Sequence, residues 1–546
     1  MHNARFPRVR PLTPDSSVAP LRPFNRLESS PVTNILHRRR PRQRAGLAGL
    51  GFAIGLTLAG CAVGPDFKAP AAPTIANPQS PYTSAPMPAT TASAPVLGGE
   101  SQRFAMGQDI PAIWWNVFHS EPLDQLIRSA LAHSPTLASA QAALRQARET
   151  YSADAGARQL PGVTGQLGVT RERESQLASQ VPGGVDLTLF NASVNVTYTI
   201  DAFGGIHREL EGLEAAVDYQ QYQVEATYLT LTANVVTTAI QEASLRAQLR
   251  ATQDVIEAES RSLALIEKQA TLGAIARGTV LTQQAQLAQT RATLPGLEKA
   301  LAQTRHQLSV YAGRLPSDTG LPKFTLESLQ LPQDLPVSLP SSLVRQRPDI
   351  RASEALLHQA SAQIGVATAN LYPQITLSGS LGAQSLEPSQ LFSGPSSAWS
   401  LGAGLLQPLF NGGSLRAKKR AAVAAYDQAQ AQYRQTVLNA FLNVANTLRA
   451  LDADAQALSA QAQAAGLARD SLDLVERQYQ LGAVSNLALL TAQQTYAQTR
   501  IALAQAQALR YADTAALFQA LGGGWWNRPA LADASAPPAV PTPKSP

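Results

Sequence analysis

Apolar and polar residues alternate in four short segments of the chain. In the clearest, Phe190 to Ile200, every second residue is apolar and the residues between are Asn, Ser or Thr. A period of two predicts a strand with one apolar and one polar face. Such strands are expected at about 161–172, 188–201, 373–384 and 398–409. At about a dozen residues each could cross a bilayer when tilted, although a half-buried soluble sheet would alternate in the same way.

Helical periodicity fills most of the remaining chain. From about 207 to 272 no proline interrupts the pattern, and a counterpart runs from about 415 to 481. At about 1.5 Å per residue each stretch predicts a rod of roughly 100 Å, which must pack beside other helices to bury its apolar stripe. Helices at about 279–313 and 487–521 follow the rods and complete two hairpins, and a further helix is expected at 122–157.

The chain repeats itself with a period of about 210 residues. Gln269 to Ala274 align with Gln478 to Ala483, 209 residues on, and Pro135 aligns with Pro348. Each copy reads as helix, two strands, very long helix and helix. The predicted parts are repeat 1 at 111–315, a linker at 316–340, repeat 2 at 341–524 and a C-terminal tail at 525–546.

The composition of residues 1–60 differs from that of the rest. They hold ten of the 44 Lys and Arg residues but two of the 38 Asp and Glu residues, so the net charge of +6 arises in this segment. The charge therefore does not indicate a nucleic-acid partner. A basic run at 38–44, followed by an apolar stretch at 45–58 that is too short to span a bilayer, is typical of a signal segment.

The single cysteine, Cys61, ends the run Leu58-Ala59-Gly60-Cys61. This run resembles the bacterial lipobox, in which the thiol receives a diacylglyceryl group that anchors the protein to a membrane. Ala62, in place of Asp, favours the outer membrane by the enteric sorting rule. A buried cysteine after a core helix is the alternative. Residues 61–110, rich in Pro, Ala, Ser and Thr, are expected to form a lipidated tether or a strip lying along the body.

Four strands are too few to close a membrane barrel. An open sheet edge in lipid leaves unpaired backbone groups that cost several kcal/mol each. Three copies would supply twelve strands, and the long helices would continue the wall as a second tube. We therefore predict a mainly helical protein with membrane strands, which forms a homotrimer with a twelve-stranded β-barrel continued on one side of the membrane by a long helical barrel; the resemblance described next implies that this helical barrel is periplasmic.

Several short motifs occur in a fixed order and spacing along nearly the whole chain after the signal segment. They are Gly60-Cys61-Ala62-Val63-Gly64-Pro65, Trp114-Trp115-Asn116, Asp201-Ala202-Phe203-Gly204, Arg347-Pro348-Asp349 and Gly522-Gly523-Gly524-Trp525. With these motifs the chain resembles the outer-membrane factor (TolC-like) family of tripartite efflux systems, in its NodT-type lipoprotein branch. The resemblance implies a passive exit duct for small molecules and drugs in the outer membrane, driven by an inner-membrane transporter through a periplasmic adaptor.

The same resemblance implies that the turns after the two long helices contact the adaptor. These tip turns are Leu272, Gly273 and Ala274 in repeat 1 and Leu481, Gly482 and Ala483 in repeat 2. They could equally be simple hairpin turns.

Charged residues near these turns are candidate gating groups. They are Glu267, Lys268, Arg277, Glu476 and Arg477. These side chains could pair to hold the tip shut, or could be solvated surface charges worth about 0–1 kcal/mol per pair. Where many relatives carry acids, this sequence has Ala488 and Thr491, which disfavours gating by an aspartate ring.

No pattern of catalysis is found in the sequence. The seven His residues lack paired metal spacing, and no Gly-rich phosphate loop occurs. Asp201 is expected to accept from backbone donors at a strand-to-helix junction, and Trp114 and Trp115 to anchor the first segment. We predict no enzyme and no cofactor. The alternatives to the efflux duct are a type I-like protein secretion duct and a periplasmic coiled-coil lipoprotein without a pore.

Overall fold

The fold consists of two copies of one helix-strand-helix unit. The computed structural model describes residues 62–73 and 82–528. A short strand, β1 (Arg103–Met106), precedes the first copy. Repeat 1 then contains α1 (Glu121–His133), α2 (Pro135–Gln159), β2 (Gly162–Glu174), β3 (Val185–Ile200), α3 (Gly205–Thr271), α4 (Arg277–Arg291) and α5 (Leu294–Tyr311).

The second copy follows a linker that carries the short strand β4 (Asp334–Val337). Repeat 2 contains α6 (Pro340–Gln346), α7 (Pro348–Ala369), β5 (Gln374–Ser385), β6 (Ser397–Leu406), α8 (Ser414–Gln480) and α9 (Asn486–Ala520). Single helical turns lie at Trp114–Phe118, Gln176–Ser179, Leu326–Ser328, Pro388–Gln390, Gly394–Ser396 and Trp525–Asn527. The long strands and the two longest helices begin and end within three residues of the bounds that periodicity predicts.

Proline divides helices that the sequence pattern presents as continuous. The helix expected at 279–313 is two helices, α4 and α5, because Pro295 has no N–H to donate to the Arg291 carbonyl and its ring would clash there. The helix expected at 122–157 is also divided, since Pro135 begins α2 after a break at Ser134. The expectation of a single helix is wrong in both places.

The four long strands form one antiparallel sheet in the order β2-β3-β5-β6. β3 and β5 belong to different repeats, and their pairing, with Phe190 opposite Ser385 and Ile200 opposite Ile375, joins the two copies. β2 and β6 form the edges, and within the described chain each pairs on one side alone. One chain therefore supplies an arc of sheet rather than a closed barrel.

The described residues before repeat 1 lie along the body. β1 pairs in parallel with β4, with Arg103 opposite Asp334. Gln102 is fully buried, and its Nε2 donates to the Pro332 carbonyl (3.0 Å) and to Thr514 Oγ1 (3.1 Å). The described part of residues 61–110 therefore lies along the body as a strip and is not a free tether. The β1–β4 sheet has no signal in the sequence, because strands of four residues are too short to reveal a period.

The main core lies where both repeats meet the strip and the linker. Its largest buried side chains include Trp114, Phe118, Tyr511 and Phe518. Trp114 stacks on Phe518 with ring centroids 5.6 Å apart, and Trp115 is also buried. The two tryptophans therefore anchor the first segment against the helices, as expected from the sequence.

Buried charges connect the helices around this core. Glu242 of α3 has a fully buried side chain and accepts from Arg246 (2.7 Å) and from Arg305 of α5 (2.6 Å). Arg510 of α9, also fully buried, donates to the Leu451 carbonyl of α8 at 3.0 Å and to the Glu100 carbonyl of the strip at 3.1 Å. Because loss of its partners would leave a buried charge uncompensated, Glu242 fixes α5 on α3, and Arg510 fixes α8 and the strip on α9.

Asp513, three residues after Arg510, forms a carboxyl pair with Asp454 of α8. Its Oδ2 atom is buried without a hydrogen-bond partner among the described residues. Burial, followed by the hydrogen bond and the charge of Asp454, raises the pKa of Asp513 to about 8, against the opposing charge of Arg510. The folded chain therefore retains a proton that the unfolded chain releases near pH 4.

We expect the free energy of unfolding to fall as pH rises from about 4 to 8, since the folded state binds the additional proton throughout that range. Between pH 6 and pH 8.5 the Asp513 contribution should be roughly 1–2 kcal/mol, reduced from the full shift by partial solvation. Denaturant unfolding at the two pH values measures it. Asp513→Asn should reduce the difference, whereas Asp470→Asn, on an exposed face of α8, should preserve it. An identical pH dependence in Asp513→Asn would contradict the assignment.

Candidate functional site

The register of the sheet brings the alternating patterns of all four strands into phase. One row across the sheet consists of Val163, Val196, Gly379 and Leu401. The next row consists of Thr164, Asn195, Ser380 and Ser400. The sheet therefore has one continuous apolar face and one continuous polar face.

The apolar face is not covered by any other part of the described chain. Leu401 is 81% exposed, and Leu167, Trp399 and Leu405 are likewise exposed. On the polar face, Ser380 Oγ and Ser400 Oγ lie 2.8 Å apart. A half-buried soluble sheet would bury its apolar face, so this arrangement fits a sheet with lipid on one side and water on the other.

The junction between the sheet and the helices is tightly bonded. The Asp201 carboxylate accepts from the backbone N–H groups of Ile206 (3.0 Å) and His207 (2.8 Å), and so caps the start of α3. This confirms the role expected for Asp201. Gly204, with a φ of 72°, turns the chain into the helix, and a Cβ there would lie 2.5 Å from the Ala62 Cα.

The first described residues are held at this junction. Val63 N–H donates to the Phe203 carbonyl at 3.1 Å. Arg208 of α3, whose side chain is buried, donates to Asp66 at 2.6 Å and to Glu211 at 2.7 Å. The hydrogen bond from Arg208, then its charge, lowers the pKa of the Asp66 carboxyl. Cys61 and the signal segment lie outside the described residues.

A second contact holds the strip at the next residue. Phe67 stacks on His358 of α7 with ring centroids 4.3 Å apart, and His358 Nε2 lies 2.8 Å from Glu211 Oε1. Burial would raise the pKa of Glu211, but hydrogen bonds from Arg208 and His358 lower it overall. Since Asp66 bonds Arg208 of repeat 1 and Phe67 stacks on His358 of repeat 2, the strip is attached to both repeats, and Glu211 links the two contacts.

The two predicted tip turns have the same backbone geometry. Gly273 and Gly482 both have a φ of 75°, the left-handed conformation that glycine adopts without strain. In each turn the next N–H bonds back to the last helical turn, from Ala274 to the Gln269 carbonyl (2.9 Å) and from Ala483 to the Gln478 carbonyl (2.8 Å). This six-residue closure is the Schellman arrangement, which ends a helix and starts a reversal.

The side chains at the two turns face solvent in the single chain. Leu272 and Leu481 are among its most exposed large apolar residues. The two hairpins touch just before the turns, where Tyr479 Oη donates to Gln269 Oε1 at 3.4 Å. Each turn therefore exposes an apolar side chain, and the contact with an adaptor at these turns stays a prediction.

The five candidate gating charges form no ion pair with one another within the described chain. They are Glu267, Lys268, Arg277, Glu476 and Arg477. The Glu267 side chain accepts a hydrogen bond from Gln284 Nε2 at 3.1 Å. Burial, and then the charge of Asp473, raises the pKa of the Glu476 carboxyl. The gating role of these five charges stays a prediction.

The first turn of α9 is neutral. Ser485 caps this helix through its side chain, which accepts from the Ala488 N–H, and Thr491 Oγ1 donates to the Leu487 carbonyl at 2.9 Å. Neither Ala488 nor Thr491 can carry charge, so these positions do not provide a carboxylate ring.

Sequence reasoning missed a buried acid within the first hairpin. Glu259 of α3 accepts from Gln286 (3.2 Å) and Thr290 (3.1 Å) of α4, and burial raises its pKa. Gln286 also bonds Gln494 of α9, which links the two hairpins. The signal was available, because Glu259 lies three residues after Ile256 and so belongs to the apolar stripe of the helix.

Neither metal chemistry nor a helical membrane span is indicated by the described residues. Within residues 62–73 and 82–528, His, Cys, Asp and Glu side chains form no group of three or more that could hold a metal ion. In the same part of the chain, each helix lacks either the length or the apolar composition needed to cross a membrane.

Comparison with known proteins identifies relatives along both repeats. The family model described as "Outer membrane efflux protein" matches residues 126–314 and 339–523. The pyoverdine export outer membrane protein OpmQ of Pseudomonas putida is 32% identical over 454 residues, which cover 81% of this chain and 94% of OpmQ. The antibiotic efflux pump outer membrane protein ArpC of Pseudomonas putida is 29% identical, over 89% of this chain and 97% of ArpC.

Solved structures agree with these relatives. The outer-membrane channel OprN superimposes with a TM-score of 0.76 at 28% identity, over 85% of this chain and all of the OprN chain. CusC superimposes with a TM-score of 0.73 at 25% identity, over 85% of this chain. The predicted fold class, and the predicted function as the outer-membrane channel subunit of an efflux system, are confirmed. The chain belongs to the outer membrane efflux protein family.

Proposed function

We propose that three copies of this chain form a passive exit duct in the outer membrane, through which an energised partner expels small molecules. The observation that carries the proposal is the four-stranded sheet with one uncovered apolar face and two open edges. Three such arcs make twelve strands and leave no edge in lipid. The apolar face then meets lipid, and the polar face lines the lumen.

The tip turns are the proposed contact with a periplasmic adaptor, which joins the duct to an inner-membrane transporter. Leu272 and Leu481 offer apolar contacts, and the left-handed glycines keep both turns in one fixed geometry. In the trimer, Glu267, Lys268, Arg277, Glu476 and Arg477 face copies of one another and provide the charges that close the tip. Pairs of this kind, at the surface, are weak enough to be released by a partner.

Acyl chains on Cys61 are the proposed anchor in the outer membrane. The lipobox supports this, as does the position of the next two residues, because Ala62 and Val63 pack against Gly204 and Phe203 where the sheet ends. An acyl group at this junction would enter the same membrane as the strands. The strip would then serve as a fixed attachment rather than a free tether.

The proposed substrates are small molecules rather than polypeptides. The relatives named above are assigned to pyoverdine export and antibiotic efflux. A protein secretion duct is the second candidate from the same architecture. A coiled-coil lipoprotein without a pore is disfavoured, because it has no use for a wide apolar sheet face left open to solvent.

Leu401→Arg should reduce assembly in the outer membrane, since an arginine on the lipid face costs about 2–4 kcal/mol near the bilayer centre. The measurement is the yield of heat-resistant trimer in outer-membrane fractions. Ser400→Arg is the matched control, one residue away on the polar face, and should assemble. Equal yields for the two variants would show that the apolar face does not meet lipid.

Cys61→Ser should abolish incorporation of labelled palmitate and reduce the amount retained in the outer membrane. Ala62→Asp, which leaves the thiol in place, should keep the label but move it to the inner-membrane fraction. Palmitate incorporation into the Cys61→Ser variant would exclude this residue as the lipid site.

Neutralising Glu476 and Arg477 together to glutamine should raise single-channel conductance in planar bilayers by about two- to fivefold, because each lost pair is worth about 0–1 kcal/mol. The matched control is Arg469→Gln with Asp470→Asn, an exposed pair of opposite charges on the same helix. Conductance equal to that of the unsubstituted trimer would reject the gate. No conductance from either variant, despite inserted trimer, would reject the duct itself.

A further inference from the structure

The sheet has a distal end, away from the long helices, at which β2 ends and β3 begins. Beyond Val169, the charged residues of β2 are Arg171, Glu172, Arg173 and Glu174. Because side chains alternate along a strand, both arginines share the apolar face of Val169 and both glutamates share the polar face. Charges that served only to solvate a loop would show no such preference. The distal end of β2 therefore directs cations to the side proposed to meet lipid and carboxylates to the side proposed to meet water.

Arg171 lies just outside the apolar band of the sheet. On β3, each alternate residue from Ile200 to Phe190 is apolar, which is a run of about 33 Å along the strand. At a tilt of about 40° this run spans about 25 Å of membrane, the height of the apolar band in membrane barrels. Phe190 pairs with Val169, and the next row on the same face pairs Arg171 with Thr188. Arg171 is therefore at the level of the lipid headgroups.

Both arginines retain donors for an anion. Arg171 is exposed and forms no ion pair with another described residue. Arg173 is held in place, since its Nη2 donates to the Gly183 carbonyl at 2.8 Å and its Nη1 lies 3.8 Å from Asp186 Oδ2, yet its side chain is 67% exposed. The opposite edge strand, β6, contains neither Asp nor Glu, so its counterpart in a second copy offers no carboxylate. A guanidinium has five N–H donors, and these contacts leave several of them open.

A groove lies below these arginines on the same face of the sheet. Its volume is about 800 Å³, and its lining on this face includes Gly165, Leu167, Ala192, Val194 and Leu381, with Phe392 from the β5–β6 loop. Leu167 and Phe392 are 80% and 82% exposed. The groove spans β2, β3 and β5, or about 10 Å between the first and third strands, which is wider than one acyl chain. Leu167 is about 13 Å along β2 from Arg171, so apolar and cationic surfaces are continuous.

We propose that this face binds a phosphorylated glycolipid of the outer leaflet, with its phosphates on Arg171 and Arg173 and its acyl chains in the groove. The inference rests on the proposed duct, in which the helices lie on the inner side of the membrane and the distal end of the sheet reaches the outer leaflet. Arginine suits this role because its forked N–H groups bond phosphate in a bidentate manner. Two guanidinium groups on residues about 7 Å apart along one strand suit a headgroup with two phosphates rather than one.

Removal of both cations tests the headgroup contact. Purified trimer is titrated with bisphosphorylated lipid A in detergent, and native mass spectrometry measures the apparent Kd. Arg171→Gln with Arg173→Gln should weaken binding by about tenfold or more, because charge-assisted hydrogen bonds to phosphate are lost. The matched control is Glu172→Gln with Glu174→Gln, on the other face of the same strand, and should bind as tightly as the unsubstituted trimer.

The lipid is then varied with the unsubstituted trimer. Dephosphorylated lipid A should bind about tenfold more weakly, for the same reason. Phosphatidylglycerol, which has one phosphate and two acyl chains, should also bind more weakly than lipid A. Equal affinity for the dephosphorylated lipid would overturn the contact with phosphate. Phosphatidylglycerol bound as tightly as lipid A would overturn the choice of a glycolipid.

A larger side chain at Gly165 tests the groove. A Cβ at this position would meet no atom within 4 Å, so Gly165→Phe fills the groove without a clash. It should weaken lipid A binding by about fourfold or more, the value of one buried methylene. Gly404→Phe, on the polar face, where the nearest atom to a Cβ is 3.9 Å away, is the matched control and should leave the Kd unchanged. Unchanged affinity in Gly165→Phe would contradict acyl chains in the groove.

The site and the duct fail in different ways. Equal lipid A affinity in the double arginine variant and its control rejects the lipid site, while a conducting trimer upholds the duct. A chain that forms no trimer in outer membranes rejects the duct and, with it, the lipid site.

Discussion

A backbone group in lipid has no water to bond, so each strand edge within the membrane must find another strand. The rest of this architecture follows from that requirement. β2 and β6 leave one row of N–H and C=O groups open at each edge of a four-stranded arc. Because the arc cannot close on itself, the proposed channel wall is built from several copies of the chain.

The helices solve a different problem, that of standing as a wall with water on at least one side. α3 and α8 are each 67 residues long. Each has an apolar stripe that is buried only by packing against neighbouring helices, while the rest of its surface is polar. In the middle of α3, Glu242 bonds Arg305, which also donates to the Pro322 carbonyl of the linker. In the middle of α8, the Leu451 carbonyl accepts from Arg510, which also donates to the Glu100 carbonyl of the strip. The helix ends carry fewer buried contacts and finish in exposed turns at Gly273 and Gly482.

Much of the secondary structure can be predicted from the sequence. Alternation from Phe190 to Ile200 and the glycines after the long helices located strands and turns to within a few residues, because period and backbone conformation are local properties. Proline also acts locally. The pattern nevertheless predicts continuous helices across Pro135 and Pro295, because helical periodicity on both sides of each proline hides the break. The pairing of β1 with β4 left no trace, because it depends on residues 231 positions apart.

The sequence by itself determined the family, the repeat and the two-faced strands, since each is carried by residue type and spacing. Only the tertiary structure decided that the four apolar faces align into one uncovered surface and that Glu259 lies inside a helix pair. It also decided that Val63 and Asp66 are held at the end of the sheet by Arg208. The physical reason is that register, burial and ion pairing depend on distances between chain segments far apart in sequence, which no local pattern encodes.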